Sequence, residues 1–240
     1  MKVRLKPTRA VCLLALLAAG CGGAGGGAKD VGHPATTAVS PGPSAPGSDV
    51  LLITIDTLRA DVVGFLGNTA GTTPNLDRIA AAGLVFPHAH AHSVVTLPSH
   101  TNILSGRLPY EHGVRDNAGY TVPADLPTLA TLLRAAGYAT AAFVGAYPLD
   151  SRYGLDQGFD VYDDAYPRGS HPGDFELAER RGDRVVEPAL AWWRAQPRSR
   201  FLWVHLYDPH ANYEPPEAFR ARFPDRPYLG EVAAADWFLA

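Results

Sequence analysis

Hydrophobic positions divide this chain into an unpatterned front and a regularly patterned remainder. Residues 22–49, "GGAGGGAKDVGHPATTAVSPGPSAPGSD", offer almost nothing to bury, so a flexible Gly/Pro/Ser-rich tether is expected over 21–48. The pattern then changes abruptly. "DVLLITID", 49–56, is a continuous apolar run ending in an acid, which predicts a central parallel strand buried on both faces. "TPNLDRIAAAG", 73–83, predicts a short helix with Thr73 as N-cap, Pro74 in first position, Leu76 and Ile79 inward and Gly83 as stop. "LVFPHAHA", 84–91, reads as extended, with Pro87 at an edge or bulge.

A helix is predicted from Pro98 to about Ser105, stopped by Gly106. "LPTLATLLRAAG", 126–137, is the clearest amphipathic helix, with Leu129, Leu132, Leu133 and Ala136 on one face. "YATAAFVGA", 138–146, predicts a strand, and 177–196 is mostly helical with Pro188 expected to kink or divide it. "FLWVHLYD", 201–208, predicts another buried strand ending in polar residues. Helices alternating with apolar strands predict an α/β fold, a mostly parallel central sheet flanked by helices over 49–240. Ligands of such sheets sit beyond the carboxyl ends of the strands. There the sequence supplies Asp56, Thr96 nearby, His205, Asp208 and His210.

Composition agrees with one domain. The 240 residues are 46% hydrophobic with 24 Gly and 21 Pro, neither disordered nor fibrous. The first twenty residues differ: a basic start, the apolar run "VCLLALLAAG", then Cys21. This predicts an export signal over 1–20, too short for a comfortable membrane span. "LLAAGC" resembles a bacterial lipobox, which implies lipidation of Cys21 and anchorage to the cell envelope through the N-terminal lipid. Cleavage there removes Lys2, Arg4, Lys6 and Arg9 and no acid, leaving 17 basic residues against 24 acidic and moving the charge from −3 to −7. That balance argues against a nucleic-acid partner. It also leaves Cys21 as the one cysteine, so no internal disulfide is expected.

Five stretches in order, "LLITIDTLRAD" (51–61), "TPNLDRIAAAG" (73–83), "TLPSHTNILSGRLPYEHGV" (96–114), "GLDQGFDVYDD" (154–164) and "VHLYDPHANYEPP" (204–216), resemble the sulfatases of the alkaline phosphatase superfamily. The resemblance implies a divalent metal (calcium, manganese or zinc), a small anionic ester as substrate, and a nucleophile that takes a sulfuryl or phosphoryl group. Asp56 stands at a metal-ligand position, though an Asp there can also cap a helix. Thr96 falls at the nucleophile position, where it would also touch the metal; read alone, it is more simply a helix cap. His210 matches the histidine that contacts the transferring group or leaving oxygen. His112 is a weaker catalytic candidate, with a structural hydrogen bond as the alternative.

The family pattern is not followed everywhere. A threonine cannot become formylglycine, since its methyl group would give a ketone, so no formylglycine is expected. His100 replaces the motif arginine, turning a fixed cation into a pH-dependent one. Thr57 stands where many sulfatases have a second Asp, and "GAYPLD" puts Ala146 and Pro148 where the family has sulfate-contacting Lys and His. A threonine nucleophile resembles the phosphoryl- and phosphonate-handling branches instead. The later Asp-His or Asp-Asn ligands of the family are absent, so the chain reads as the N-terminal part of a longer member. It is expected to hold a metal poorly, to expose apolar surface, and to be inactive by itself if nothing supplies those ligands. Two other readings stand beside the hydrolase: a non-catalytic surface lipoprotein that uses the fold for binding, and a lipid-headgroup phosphotransferase. Elsewhere, His205 reads as a buried, satisfied core residue, and Trp192 and Trp193 as helix packing. His88, His90 and His92 share one strand face, which can bind zinc but reads more simply as an exposed polar face.

Overall fold

A computed structural model of the protein describes residues 48–165, 179–197 and 199–240. The expected export signal, Cys21 and all of the tether except residue 48 lie outside these residues. The strands are β1 (Val50–Ile55), β2 (Ala139–Val144), β3 (Val161–Asp163) and β4 (Arg200–Leu206). The helices are α1 (Pro74–Ala81), α2 (Thr96–Ser105), α3 (Pro109–His112), α4 (Leu129–Ala135), α5 (Gly182–Ala195), α6 (Glu217–Arg222) and α7 (Pro227–Phe238). The strands form one sheet in the order β1-β4-β2-β3, and every neighbouring pair is parallel. The predicted α/β class and mostly parallel sheet are thus observed.

Alternation along the apolar strands builds two cores at once. In β4 and the residue after it, Phe201, Trp203 and Tyr207 face a layer that includes Leu97 and Leu104 of α2 and Ala130 of α4. Leu202, Val204 and Leu206 face the opposite layer, with Val185 and Ala189 of α5 and Ala235 of α7. In β1, Val50 and Leu52 belong to the first layer and Leu51 and Ile55 to the second. A third cluster, Val62, Phe223, Leu229, Val232 and Ala233, packs α6 and α7 against the loop after β1.

Several expectations change. β1 lies at the edge of the described sheet and is half-buried along its whole length, not a fully buried central strand. Residues 84–91 form no strand and carry one turn at 87–88, so His88, His90 and His92 share no strand face, although all three are exposed as expected. Helix α4 buries Ala130 and packs Leu129 and Leu133, with Leu126 buried just before it, while Leu132 is 62% exposed; the apolar stripe lies one turn nearer the N-terminus than predicted. Helix α5 begins at Gly182, five residues later than expected, and Pro188 sits inside one continuous helix without dividing it. Leu84, Val85, Phe86 and Val94 are exposed.

Helix α1 shows how distant residues finish a local element. Thr73 occupies the N-cap position, but its hydroxyl donates to Asp77 and accepts from the Gly64 N–H instead of capping. Asp236, from the far end of α7, supplies the cap. Its Oδ2 accepts the Asn75 N–H at 3.0 Å and its Oδ1 the Leu76 N–H at 2.8 Å. Ile79, on the helix itself, stays 46% exposed. Asp236→Ala should therefore destabilise the protein by about 1–2 kcal/mol, the usual cost of a lost N-cap, with Asp236→Asn losing less. Urea unfolding of the three proteins measures this; equal stabilities would contradict the cap.

Candidate functional site

The site forms where the ends of β1 and β4 meet the start of α2. Thr54 of β1 is in register with His205 of β4, and the Asp56 N–H donates to the Leu206 carbonyl at 2.9 Å. Period-two alternation then puts Asp56 on the same sheet face as Thr54 and His205. On that face the Trp203 indole N–H donates to Thr54 Oγ1 at 3.0 Å, and the His100 ring of α2 lies 5.7 Å from the Trp203 ring.

Helix α2 starts at Thr96, two residues earlier than predicted, and Val95 holds the N-cap position. Thr96 does not cap. Its hydroxyl donates to Asp56 Oδ2 at 3.1 Å, which settles the choice between a cap and a side chain aimed at the strand ends. Two other features hold the helix start: Asn117 Oδ1 accepts the Leu97 N–H at 2.8 Å, and Pro98 needs no partner there.

Asp56 does not cap a helix either. Its carboxyl is held below the usual carboxylate range: burial alone would raise it, but the His205 and His100 rings and the Thr96 hydroxyl outweigh that. It therefore stays ionised at neutral pH. His100 points its Nδ1–H at the Thr96 carbonyl, 2.8 Å away. Burial, and then the neighbouring His205 ring, push its pKa down to about 4, so His100 is neutral at physiological pH and does not replace the missing arginine as a cation.

Thr57 is the one non-glycine residue with positive φ, 52°, among the described residues. A β-branched residue in this region is strained, and three contacts hold it. Its hydroxyl donates to the Pro209 carbonyl at 2.8 Å, its carbonyl accepts from the Tyr228 hydroxyl at 2.8 Å, and the same hydroxyl accepts the Arg59 N–H at 2.9 Å. The side chain at the family's second Asp position thus braces the loop beyond β4 and is not offered beside Asp56.

The remaining predicted residues are dispersed. His210 stacks on Tyr207 with ring centroids 4.2 Å apart and donates Nδ1–H to the Ala211 carbonyl at 2.7 Å. Burial, then the Asp56 and Glu179 charges, raise the Tyr207 pKa, so this pair lies within electrostatic reach of the site. His112 is not brought there. It packs near the other end of α2, where the Asn102 amide lies 2.7 Å from its Nε2, 2.9 Å from the Pro98 carbonyl and 3.2 Å from the Arg107 carbonyl. Ala146 and Pro148 are buried and offer no charged or protic side-chain group.

The sequence places His205 at the strand ends but reads it as a satisfied core residue. It is buried as expected, at 0% exposure, but among the described residues neither ring nitrogen has a hydrogen-bond partner, and Nε2 lies 3.6 Å from Asp56 Oδ2. Its place on the face shared with Trp203 and Tyr207 was the available signal; the register that puts Asp56 beside it was not.

The divalent cation implied by the resemblance finds two oxygen donors, Asp56 Oδ2 and Thr96 Oγ1, 3.1 Å apart, a separation suited to two ligands of one ion. Among the described residues no three His, Cys, Asp or Glu side chains form a metal-binding group, so the hydroxyl matters to this fit.

The buried neutral His100 predicts a pH effect. Between the ordinary histidine value of 6.5 and about 4, the unfolded chain gains a proton that the folded protein refuses. Stability should fall by about 3 kcal/mol as pH drops through that window, and His100→Asn should flatten the profile by this amount. Urea unfolding across the pH range measures it; identical profiles for the two proteins would contradict the assignment.

Comparison with known proteins supports the architecture. The sulfatase family model matches residues 48–240. An N-acetylglucosamine-6-O-sulfatase of Bacteroides thetaiotaomicron is 35% identical over 183 residues, covering 70% of this chain and 31% of that protein. The human N-acetylgalactosamine-6-sulfatase is 34% identical over 129 residues, 48% of this chain and 24% of that protein. Among solved structures, Ps i-CgsB superposes with a TM-score of 0.67 at 22% identity, covering 81% of this chain and 53% of that one. The phosphonate monoester hydrolase of Agrobacterium radiobacter does so with a TM-score of 0.65 at 18% identity, covering 81% and 57%. At such identities the superpositions establish the fold, and the chain spans only about a quarter to a third of the curated relatives just named. With the family model covering residues 48–240, the chain belongs to the sulfatase family.

Proposed function

We propose that this protein contributes the nucleophile side of a metal-dependent ester hydrolase, with Thr96 attacking a small anionic ester. One observation carries the reading: the Thr96 hydroxyl, at the start of α2, is aimed at an ionised carboxylate at the end of β1. With its pKa lowered, Asp56 is a poor proton acceptor and a good anchor. It orients the hydroxyl and, together with Thr96, would hold the cation. A bound divalent ion supplies Lewis acidity, offsetting charge on the ester oxygens and favouring the deprotonated threonine. In the proposed step the Thr96 hydroxyl proton passes to solvent, and a bond forms from Thr96 Oγ to phosphorus or sulfur as the bond from that atom to the ester oxygen breaks. The ester oxygen takes a proton and leaves as an alcohol. Water later cleaves the Thr96 ester, releasing the phosphate or sulfate and restoring the hydroxyl.

In its imidazolium form His210 is the proposed proton source for the leaving oxygen, since Nδ1–H is tied to the Ala211 carbonyl and Nε2–H is left to give its proton. His100 positions Thr96 through its backbone carbonyl. His112 is proposed as a structural residue of the α2–α3 corner.

Phosphoryl or phosphonyl esters fit Thr96 better than sulfate esters, because a threonine ester is released by attack at phosphorus and no formylglycine chemistry is open to it. The named relatives act on sulfated amino sugars, while a structural neighbour hydrolyses phosphonate monoesters. The lipobox-like "LLAAGC" supports anchorage to the envelope through Cys21.

Turnover of aryl phosphate and aryl sulfate with added Mn²⁺, Zn²⁺ or Ca²⁺ tests the chemistry. Thr96→Ala should lower phosphate turnover by about a thousandfold or more, and Thr96→Ser should keep much of it. Undiminished activity in Thr96→Ala removes Thr96 from the mechanism. For the anchor, Cys21→Ser should shift the expressed protein from the detergent-extracted envelope fraction to the soluble one; an unchanged distribution speaks against lipidation.

A further inference from the structure

The turn that presents His210 is tied down on three sides. The His210 N–H donates to the Tyr207 carbonyl at 2.8 Å, so Asp208 and Pro209 form the middle of a tight turn just beyond β4. The Thr57 hydroxyl donates to the Pro209 carbonyl, and the Gly182 N–H at the head of α5 donates to Asp208 Oδ2, each at 2.8 Å. The third tie comes from α7: the Glu231 side chain, in a residue only 5% exposed, is hydrogen-bonded to the Asp208 carboxyl. Both line one small cavity with Tyr207 and His210. Ionised carboxylates only accept hydrogen bonds, so a bond between two carboxyl groups requires a proton on one of them.

We propose that Asp208 and Glu231 hold one proton between them at neutral pH, and that Glu231 is thereby a positioning residue for His210, fixing the turn that carries it. The task given to His210 rests on the hydrolase reading above; the shared proton does not. The charges around the pair do not take the proton's place. Arg180 is committed to Asp163, and Arg181, which faces both carboxyls, is committed to Asp183. Glu179 and Asp183, near the head of α5, are acids and oppose a second negative charge, while Glu214 offers Glu231 only its N–H. Burial raises both carboxyls, and burial followed by the Asp208 charge pushes Glu231 up to about 7. The proton belongs to the pair. Its loss to solvent sets two negative charges against one another between the end of β4 and α7, and so loosens the third tie on the alkaline side.

Glu231→Gln keeps a neutral hydrogen-bond donor at this place and removes the titration, whereas Glu231→Ala removes both. Infrared spectra of the full-length protein read the proton, because a neutral carboxylic acid has a carbonyl stretch that carboxylates and amides lack. That band should be present at neutral pH, fade on the alkaline side, and lose intensity in Glu231→Gln. Hydrogen exchange of the His210 N–H reads the turn. Corrected for the intrinsic rate, its protection should hold in Glu231→Gln through the alkaline range, where the parent loses at least about tenfold, and be at least about tenfold lower in Glu231→Ala at neutral pH. No carboxylic acid band, a band that Glu231→Gln leaves untouched, or equal His210 protection in all three proteins would each overturn the proposal. Should Glu231→Ala fail to fold, urea midpoints of the parent and the Gln variant decide. The folded parent keeps a proton that the unfolded chain releases above the ordinary glutamate value of 4.5, so its midpoint should fall relative to the variant's as pH rises from 4.5 to about 7. Parallel midpoints would overturn the proposal. A shared proton and a protected His210 without ester turnover would leave this inference standing and defeat the hydrolase reading. Thr96-dependent turnover in a protein that lacks the band would do the reverse.

Discussion

The register of β1 against β4 is the constraint on which the site depends. Side chains alternate faces along a strand, so a slip of one residue would send Asp56 to the opposite core and His205 away from it. The observed pairing, Thr54 with His205 and Ile55 with Leu206, puts the carboxylate and the imidazole on one face, beneath the start of α2. The hydrophobic runs of both strands fix that choice, since each divides its apolar residues between two cores. Loops then lock the strand ends: Thr57 is tied to Pro209 and Tyr228, and the Gly182 N–H at the head of α5 donates to Asp208 Oδ2 at 2.8 Å. Gly182 is needed at that junction, because a Cβ there would lie 2.6 Å from Phe238.

Such a site works against stability. Asp56, Thr96, His100 and His205 place polar atoms where the rest of the face is apolar, and each unpaired buried group costs about 1–3 kcal/mol. Thr96 and Asp56 offset part of this by bonding to one another, and His100 by bonding to the Thr96 carbonyl. His205 makes no hydrogen bond within the described residues, and its ring contributes only by favouring the Asp56 charge. The fold absorbs the cost through fully buried Trp203 and Phe201 on the same strand, side chains whose truncation typically costs about 3–5 kcal/mol each. Polar groups kept at such expense, at the carboxyl ends of parallel strands, are what a reactive site requires.

Much of this was legible in the sequence, and the rest was hidden for definite reasons. Apolar runs ending in polar residues gave β1 and β4, and the α/β class followed from their alternation with helices. Motif resemblance picked out Asp56 and Thr96, which the structure brings together. Long-range facts were not legible: that Asp236 caps a helix 160 residues away, that β1 lies at the described edge, and that Thr57 is spent on Pro209. The shifted stripe of α4 and the undivided α5 are cases where packing decided between local patterns. The roles of His100 and His205 needed burial and neighbours, which composition and spacing do not encode.

The central claim is that Thr96 becomes covalently bonded to the group being transferred. Rapid acid quench of the metal-loaded protein during turnover of an aryl phosphate, followed by peptide mass spectrometry, tests it most directly. The account predicts a phosphorylated peptide containing Thr96, formed and discharged at rates that match turnover. A protein that turns over substrate while its Thr96 peptide stays unmodified throughout would contradict it.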